Sequence, residues 1–323
     1  MKISFCTTCM NRGQHLQQTL PKNLAGNPDI DGLQVEFVVL NYGDKQGMHE
    51  WMMNDPQIQG EIARGRLKYA QTDQEVFRMS HAKNMAHRLA SGDVVCNLDA
   101  DNFTGEGFAE ALKVVFEENE NVILNPSVEL SKQFSSEERG FYGRIALSRL
   151  NFYILGGYSE EYSGWGGEDV DLTRRARLLG LSYKRFDELK YAQVIAHTNE
   201  DRVANMFLSR AGCEQELSKI KAMKEPTSAL GKLWNAGLDR FPVLYGDIAA
   251  NSGVSFGVGE VTLHNGDADE YHGSIEPLPY SILSEHSDSL ERLKSRMLNM
   301  PSLIKTRLLP DKVSLVNQDV SFE

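Results

Sequence analysis

Short apolar runs alternate with helix-spaced segments through the first two hundred residues. "KISFCTT" and "VEFVVLN" are apolar at almost every position, the pattern of strands buried on both faces. "GRLKYAQ", "DVVCNLDAD" and "VILNP" read as further strands, the second with acids at its carboxyl end. Between them, "CMNRGQHLQQTL" reads as a loop and then a helix, "SHAKNMAHRLASG" as a helix ending at a glycine, and "GEGFAEALKVVFEEN" as a further helix. In "GWGGEDVDLTRRARLLG", Leu172, Ala176 and Leu179 share one helical face, Arg174, Arg175 and Arg177 lie mostly away from it, and Gly180 is the stop. Strand and helix in alternation predict an α/β fold with a mostly parallel sheet flanked by helices.

The pattern changes near residue 200, which divides the chain into an expected domain over 1–200 and a mainly helical or irregular extension over 201–323. "RVANMFLSRAGCEQELSKIKAMKEP" reads as one long helix stopped by Pro226, and 227–281 as irregular. Leu290–Lys312 is basic and leucine-rich, with an amphipathic helix packed on the first domain favoured over a membrane-surface helix.

Composition narrows the function classes. A net charge of −11 argues against a nucleic-acid partner, which would demand a basic face. Four cysteines in 323 residues suit a reducing compartment. Cys6 and Cys9 form a lone CxxC on a strand end, a weak zinc or redox signal. The N-terminal apolar run is too short for a secretory signal, and no stretch reaches the roughly 18 apolar residues of a membrane span. The expectation is a cytoplasmic protein, with peripheral contact at the inner face of a membrane left open.

Open parallel sheets bind ligands beyond the carboxyl ends of their strands. Thr7–Arg12, Asn41–Asp44 and Asp99–Asp101 occupy three such ends and predict one nucleotide-sized site. Residues i and i+2 leave a strand on the same side, so Asp99 and Asp101 can point together into that rim. Paired carboxylates need a compensating cation, and a hard divalent ion is the usual one. Three glycines and Trp165 set before Glu168, Asp169 and Asp171 exceed what helix capping alone requires.

These segments resemble nucleotide-sugar glycosyltransferases of the GT-A type, near family 2 and the C-terminal motif of the β-1,4-galactosyltransferases. The resemblance covers about residues 1–200, and GWGGED (164–169) is its most specific piece. It implies Asp101 and His197 as metal ligands, with Asp99 at the metal or the donor ribose. His197 follows Asp169 by 28 residues, close to the galactosyltransferase histidine ligand. Thr8, Arg12, Lys83 and Asn84 would meet the nucleotide sugar, and Asn41 and Asp44 the uracil. One arginine of the galactosyltransferases is Met10 here, which removes a phosphate or base contact. Gly166 and Gly167 would let the backbone approach the donor, and Trp165 would form an acceptor platform. Asp169 would be the general base and Glu168 an acceptor ligand, with Asp171 structural.

The implied enzyme is a metal-dependent inverting hexosyltransferase that uses a UDP-sugar, with Mn²⁺ favoured over Mg²⁺ because one ligand is an imidazole. The acceptor would be a glycan or lipid-linked hydroxyl, as in bacterial polysaccharide assembly. A retaining transferase, a non-catalytic nucleotide-sugar-binding protein and a nucleotidyltransferase remain as alternatives. Donor sugar and oligomeric state are left unspecified.

Overall fold

The computed structural model describes residues 1–134, 140–204, 206–224, 250–251, 255–265 and 270–279. The basic segment Leu290–Lys312 lies outside them. The described strands are β1 (Lys2–Cys9), β2 (Gln34–Tyr42), β3 (Leu67–Thr72), β4 (Val94–Asn97), β5 (Val122–Pro126), β6 (Ala146–Ser148), β7 (Ser182–Phe186), β8 (Gly259–His264) and β9 (Glu270–Ile275). The helices are α1 (Gly13–Gly26), α2 (Met48–Asn54), α3 (Pro56–Ala63), α4 (Met79–Leu89), α5 (Phe108–Glu118), α6 (Val128–Ser131), α7 (Arg149–Ile154), α8 (Glu168–Leu179), α9 (Asn199–Val203) and α10 (Arg210–Lys224).

The strands form one sheet in the order β7-β5-β6-β4-β1-β2-β3-β8-β9. Only β6 and β8 run against the rest, so seven of the nine described strands share a direction. The expected mostly parallel α/β sheet is present. Alternate residues of β1 and β2 enter two different cores, which is why both strands read as continuous apolar runs. Ile3, Phe5, Val35, Phe37 and Val39 pack under α1, α2, α3 and α5. Cys6, Val38 and Leu40 pack under α4, α7 and α8. The CxxC is therefore split, with Cys9 in one core and Cys6 in the other. Burial raises both thiols, Cys9 to about 12.

Several local readings change. Within the stretch read as one helix over 202–226, the described residues form the end of α9 and then α10, because Thr198 builds a capping box on α9 and Ser209 accepts from Gly212 N–H at the start of α10. The 227–281 stretch contains a hairpin, in which β8 extends the sheet by pairing antiparallel with β3. Arg175, read as lying away from the apolar face, is among the most deeply buried side chains. Its Nε donates to Asp171 Oδ2 at 2.8 Å, and its Nη atoms donate to Leu155 O and Gly157 O. Such a pair can be buried because each polar edge finds a partner. Asp171 is accordingly structural, as an ion-pair partner. Among the described residues no helix is long and apolar enough to cross a membrane.

Candidate active site

Adjacent parallel strands bring the polar ends onto one rim. Cys9 is in register with Asn41, Cys6 with Asn97, and Tyr42 with Thr72. The chain leaves β1 toward β2 on one side and returns to β4 on the other, so the switch point of the sheet lies between β1 and β4. Arg12 and Asp101 meet there, with Arg12 Nη1 3.2 Å from Asp101 Oδ2.

Beyond β4 the chain turns rather than continuing as a strand, and Asn102 N–H donates to Asp99 O at 3.0 Å. The turn separates the two carboxylates that strand spacing would have aligned. Asp101 Oδ2 lies 3.0 Å from His197 Nδ1, and its Oδ1 accepts from Asn102 Nδ2 at 2.7 Å. Asp99 Oδ1 instead accepts from Asn97 Nδ2 at 3.0 Å. A Cβ at Gly143 would come within 3.1 Å of Asp99 Oδ2 and 3.2 Å of Asp169 Oδ2, so Asp99 belongs with the carboxylates of α8.

His197 is tied into a small network. Its Nε2 accepts from Arg202 Nε at 3.2 Å, and Arg202 also donates to Asn199 Oδ1 at 3.1 Å. Desolvation lowers the imidazole pKa, opposed by Asp101 and assisted by Arg12 and Arg202. With Nε2 accepting from Arg202, a neutral ring carries its proton on Nδ1, facing Asp101 Oδ2, so a metal held through Nδ1 would require that proton to leave and Arg202 to turn away. The 3.0 Å between Asp101 Oδ2 and His197 Nδ1 also suits adjacent donors on one divalent ion with bonds of about 2.1 Å. No third His, Cys, Asp or Glu joins them among the described residues. Carboxylate plus imidazole thus fits an ion that draws its remaining ligands from phosphate and water.

The second cluster centres on Lys83 of α4, whose side chain is 4% exposed. Its ammonium donates to Glu168 Oε1 at 2.9 Å and to Asp169 Oδ1 at 2.7 Å, and lies 5.0 Å from the Tyr158 ring centre. Burial lowers the Lys83 pKa, but the neighbouring carboxylates outweigh it, and the net shift is upward. Asp169 is raised to about 7 by desolvation and by the like charges of Glu168 and Asp99, with Lys83 opposing. One ammonium faces three carboxylates, so one of them favours a proton. Asn84, beside Lys83, is fully buried: its Nδ2 donates to Tyr158 O and Glu160 Oε1, and its Oδ1 accepts from Tyr158 N–H. That amide fixes the loop leading to α8.

The glycine-rich turn has a local explanation in packing. Gly164, Gly166 and Gly167 all have positive φ, and a Cβ on Gly164 or Gly167 would strike the Glu216 carboxylate or the Tyr162 ring at 2.7 Å. Trp165 N–H donates to Glu216 Oε1 at 2.8 Å, Arg202 lies 5.5 Å from the indole centre, and the ring packs on Val203, Met206 and Ile220. Asn41 and Asp44 line a cleft of about 290 Å³ at the ends of β2 and β3, together with Gln71, Asp73 and Thr262. Asp44 Oδ1 accepts from Gln46 and Met48 N–H, while its buried Oδ2 has no protein partner. Thr8 is half-buried near the end of β1.

Sequence reasoning passed over Asn102, Arg144 and Arg202. Asn102 directly follows the Asp pair, and Arg202 lies five residues after His197, so adjacency was the available signal. Arg144 carried none. It is buried, donates to Asn102 Oδ1 at 2.9 Å and to Phe103 O at 2.8 Å, and burial lowers its pKa to about 10.

Residues 127–198 match the family described as the N-terminal domain of galactosyltransferase. Rat β-1,4-galactosyltransferase 4 is 38% identical over 82 residues, which is 25% of this chain and 23% of that protein. Human β-1,4-galactosyltransferase 2 is 41% identical over 49 residues, 15% of this chain and 13% of its own. The chain thus spans less than a quarter of the length of these curated relatives. Among solved structures, S. aureus TarS 1-349 superposes with a TM-score of 0.48 at 16% identity, covering 71% of this chain and 73% of that one. The mannosyltransferase PcManGT from Pyrobaculum calidifontis, in complex with GDP-Man and Mn²⁺, gives 0.44 at 18% identity, covering 58% and 55%. The matched family segment contains α8, its glycine-rich approach and His197, so the chain's sequence similarity to galactosyltransferases falls on the rim where the two charge clusters meet.

Proposed function

We propose that this chain is a nucleotide-sugar glycosyltransferase of the GT-A type that moves a hexose from a UDP-sugar to a glycan or lipid-linked hydroxyl with inversion. The observation that carries the reading is the Lys83–Glu168–Asp169 cluster beside Asp99, in a segment similar to galactosyltransferases. Asn41, Asp44 and Thr8, at or beside the cleft beyond β2 and β3, would hold the nucleoside. Asp101 and His197 would hold a divalent ion, Mn²⁺ by preference, with Asp99 on the donor ribose or sugar. Bound there, the ion would offset charge on the diphosphate.

Asp169 takes the proton of the acceptor hydroxyl, whose oxygen bonds to the anomeric carbon as the bond from that carbon to the diphosphate oxygen breaks. UDP leaves, and Asp169 later yields its proton to solvent. A carboxylate with a pKa near 7 is a stronger base than an ordinary one and is still largely ionised just above neutrality. Lys83 holds Asp169 in place and limits how far its pKa rises, and Glu168 binds the acceptor. Donor and base residues fall within 1–200, while α9, α10 and Thr262 of β8 buttress the Trp165 turn and the cleft wall.

The test is UDP release from UDP-Gal, UDP-GalNAc, UDP-GlcNAc and UDP-Glc with Mn²⁺, then with excess EDTA. Turnover of at least one donor, lost in EDTA, is expected; no turnover of any donor refutes the reading. Product anomeric configuration by NMR separates inversion from retention.

A further inference from the structure

Arg144 and Arg175 are the two largest side chains that the described fold buries completely. Arg175 sets its charge against Asp171 of its own helix. Arg144 does not: its acceptors among the described residues are Asn102 Oδ1, Phe103 O and Tyr191 O, all uncharged. Its Nε has no partner, and its guanidinium lies 5.5 Å from the Phe108 ring centre. A buried cation without a touching carboxylate is costly, and Asp99 and Asp101 offset that cost only through space. The three acceptors belong to two segments. Asn102 and Phe103 complete the turn that carries Asp101, and Tyr191 opens the stretch that runs to His197. Those segments meet through Phe103 N–H donating to Gln193 O at 3.0 Å and Ile195 N–H donating to Asp101 O at 2.8 Å. One planar fork thus spans both.

We propose that Arg144 is a positioning residue for the divalent-ion site. Its fork fixes the spacing of the segments that bear Asp101 and His197 and, through Asn102, selects which oxygen of Asp101 faces the ion. This rests on the reading of Asp101 and His197 as ion ligands. A guanidinium only donates, so Asn102 must turn Oδ1 toward Arg144. Its Nδ2 is then committed to Asp101 Oδ1 at 2.7 Å, and Asp101 Oδ2 is left 3.0 Å from His197 Nδ1. A positive charge repels a divalent ion, so charge alone would weaken the site; the contribution is geometric. Lysine would keep the charge but has no planar fork to serve acceptors on two segments.

The experiment titrates Mn²⁺ into the full chain with saturating UDP and reads free Mn²⁺ by electron paramagnetic resonance. Arg144→Lys should raise the Mn²⁺ Kd about 10- to 100-fold. Arg175→Lys removes an equally buried fork that holds Leu155 O and Gly157 O, and should bind Mn²⁺ as wild type does. Asn102→Ala cuts the link to Asp101 while leaving Arg144 on two carbonyls, and should raise the Kd at least about fivefold. It carries the test should circular dichroism show Arg144→Lys unfolded. A wild-type Kd in Arg144→Lys or in Asn102→Ala overturns the positioning role, as does an equal loss in Arg175→Lys. Wild type that binds no Mn²⁺ refutes the ion ligands themselves, whereas tight wild-type binding unmoved by these variants refutes the role of Arg144 alone.

Discussion

Asp101 and Asp169 stand on the same rim, but their charges are balanced in opposite ways. Around Asp101, Arg12, Asn102 and His197 all approach one carboxylate, with Arg202 just behind. Around Asp169, a single ammonium is shared with Glu168, and Asp99 adds a third negative charge. A carboxylate surrounded by donors is held in a fixed orientation on the rim. A carboxylate short of compensation is suited to take up a proton. Under the proposed function, donor binding falls to one cluster and acceptor chemistry to the other, and substitutions should separate them.

The largest effect should come from Asp169→Asn, which keeps shape and hydrogen bonding but cannot accept a proton. Its kcat should fall about 10²- to 10⁴-fold, with UDP·Mn²⁺ affinity by calorimetry little changed. Asp101→Asn should weaken UDP·Mn²⁺ binding and turnover together. If the two variants behave alike in both assays, the division between the clusters fails.

Lys83→Met should cost about 3–5 kcal/mol in urea unfolding, because it leaves Glu168 and Asp169 without their buried partner. Arg12→Met removes a more exposed cation from the other cluster and should cost less. Equal losses would mean that the two clusters do not differ in depth. His197→Ala should raise the Mn²⁺ concentration needed for half-maximal turnover by about 10- to 100-fold, without changing the unfolding free energy in metal-free buffer by more than about 1 kcal/mol. An unchanged metal titration would return His197 to a purely structural role.

The smallest effect is on the pH profile. Asp169 must be ionised to act, so kcat/KM should rise with pH through a limb near 7. Glu168→Gln removes a like charge and should move that limb to lower pH, by less than about one pH unit. Stability runs the other way. The native pKa lies above the ordinary 3.8, so the contribution of protonated Asp169 is complete below that value and is lost as pH rises through about 7. A limb that does not move in Glu168→Gln would break the link between charge crowding and the base.

What was legible in the sequence was whatever is local. β1, β2 and α8 announce themselves by apolar spacing and a glycine stop, and the strand-end position of Asp101 follows from the topology they imply. The partition of Asp99 from Asp101 was not legible, because it depends on a turn closed by Asn102 and on the approach of Gly143, 44 residues after Asp99. Arg175 was misread because helical spacing shows which face a side chain shares, not which carbonyls wait across the interface. The β8–β9 hairpin escaped notice because it completes its pairing on β3, almost two hundred residues upstream.

That hairpin also decides how copies of the protein behave beside one another. Left bare, β3 would present an open row of amides and carbonyls along its margin, a template for strand exchange between molecules. With β8 and β9 added, the described sheet ends on one side at a six-residue strand bearing Glu270, Tyr271 and His272 on exposed positions. On the other side it ends at β7, with Lys184 and Arg185. Short, charged margins at both ends discourage edge-to-edge growth. A chain cut before Gly259 should therefore lose colloidal stability in concentrated solution, an outcome that light scattering would register without reference to catalysis.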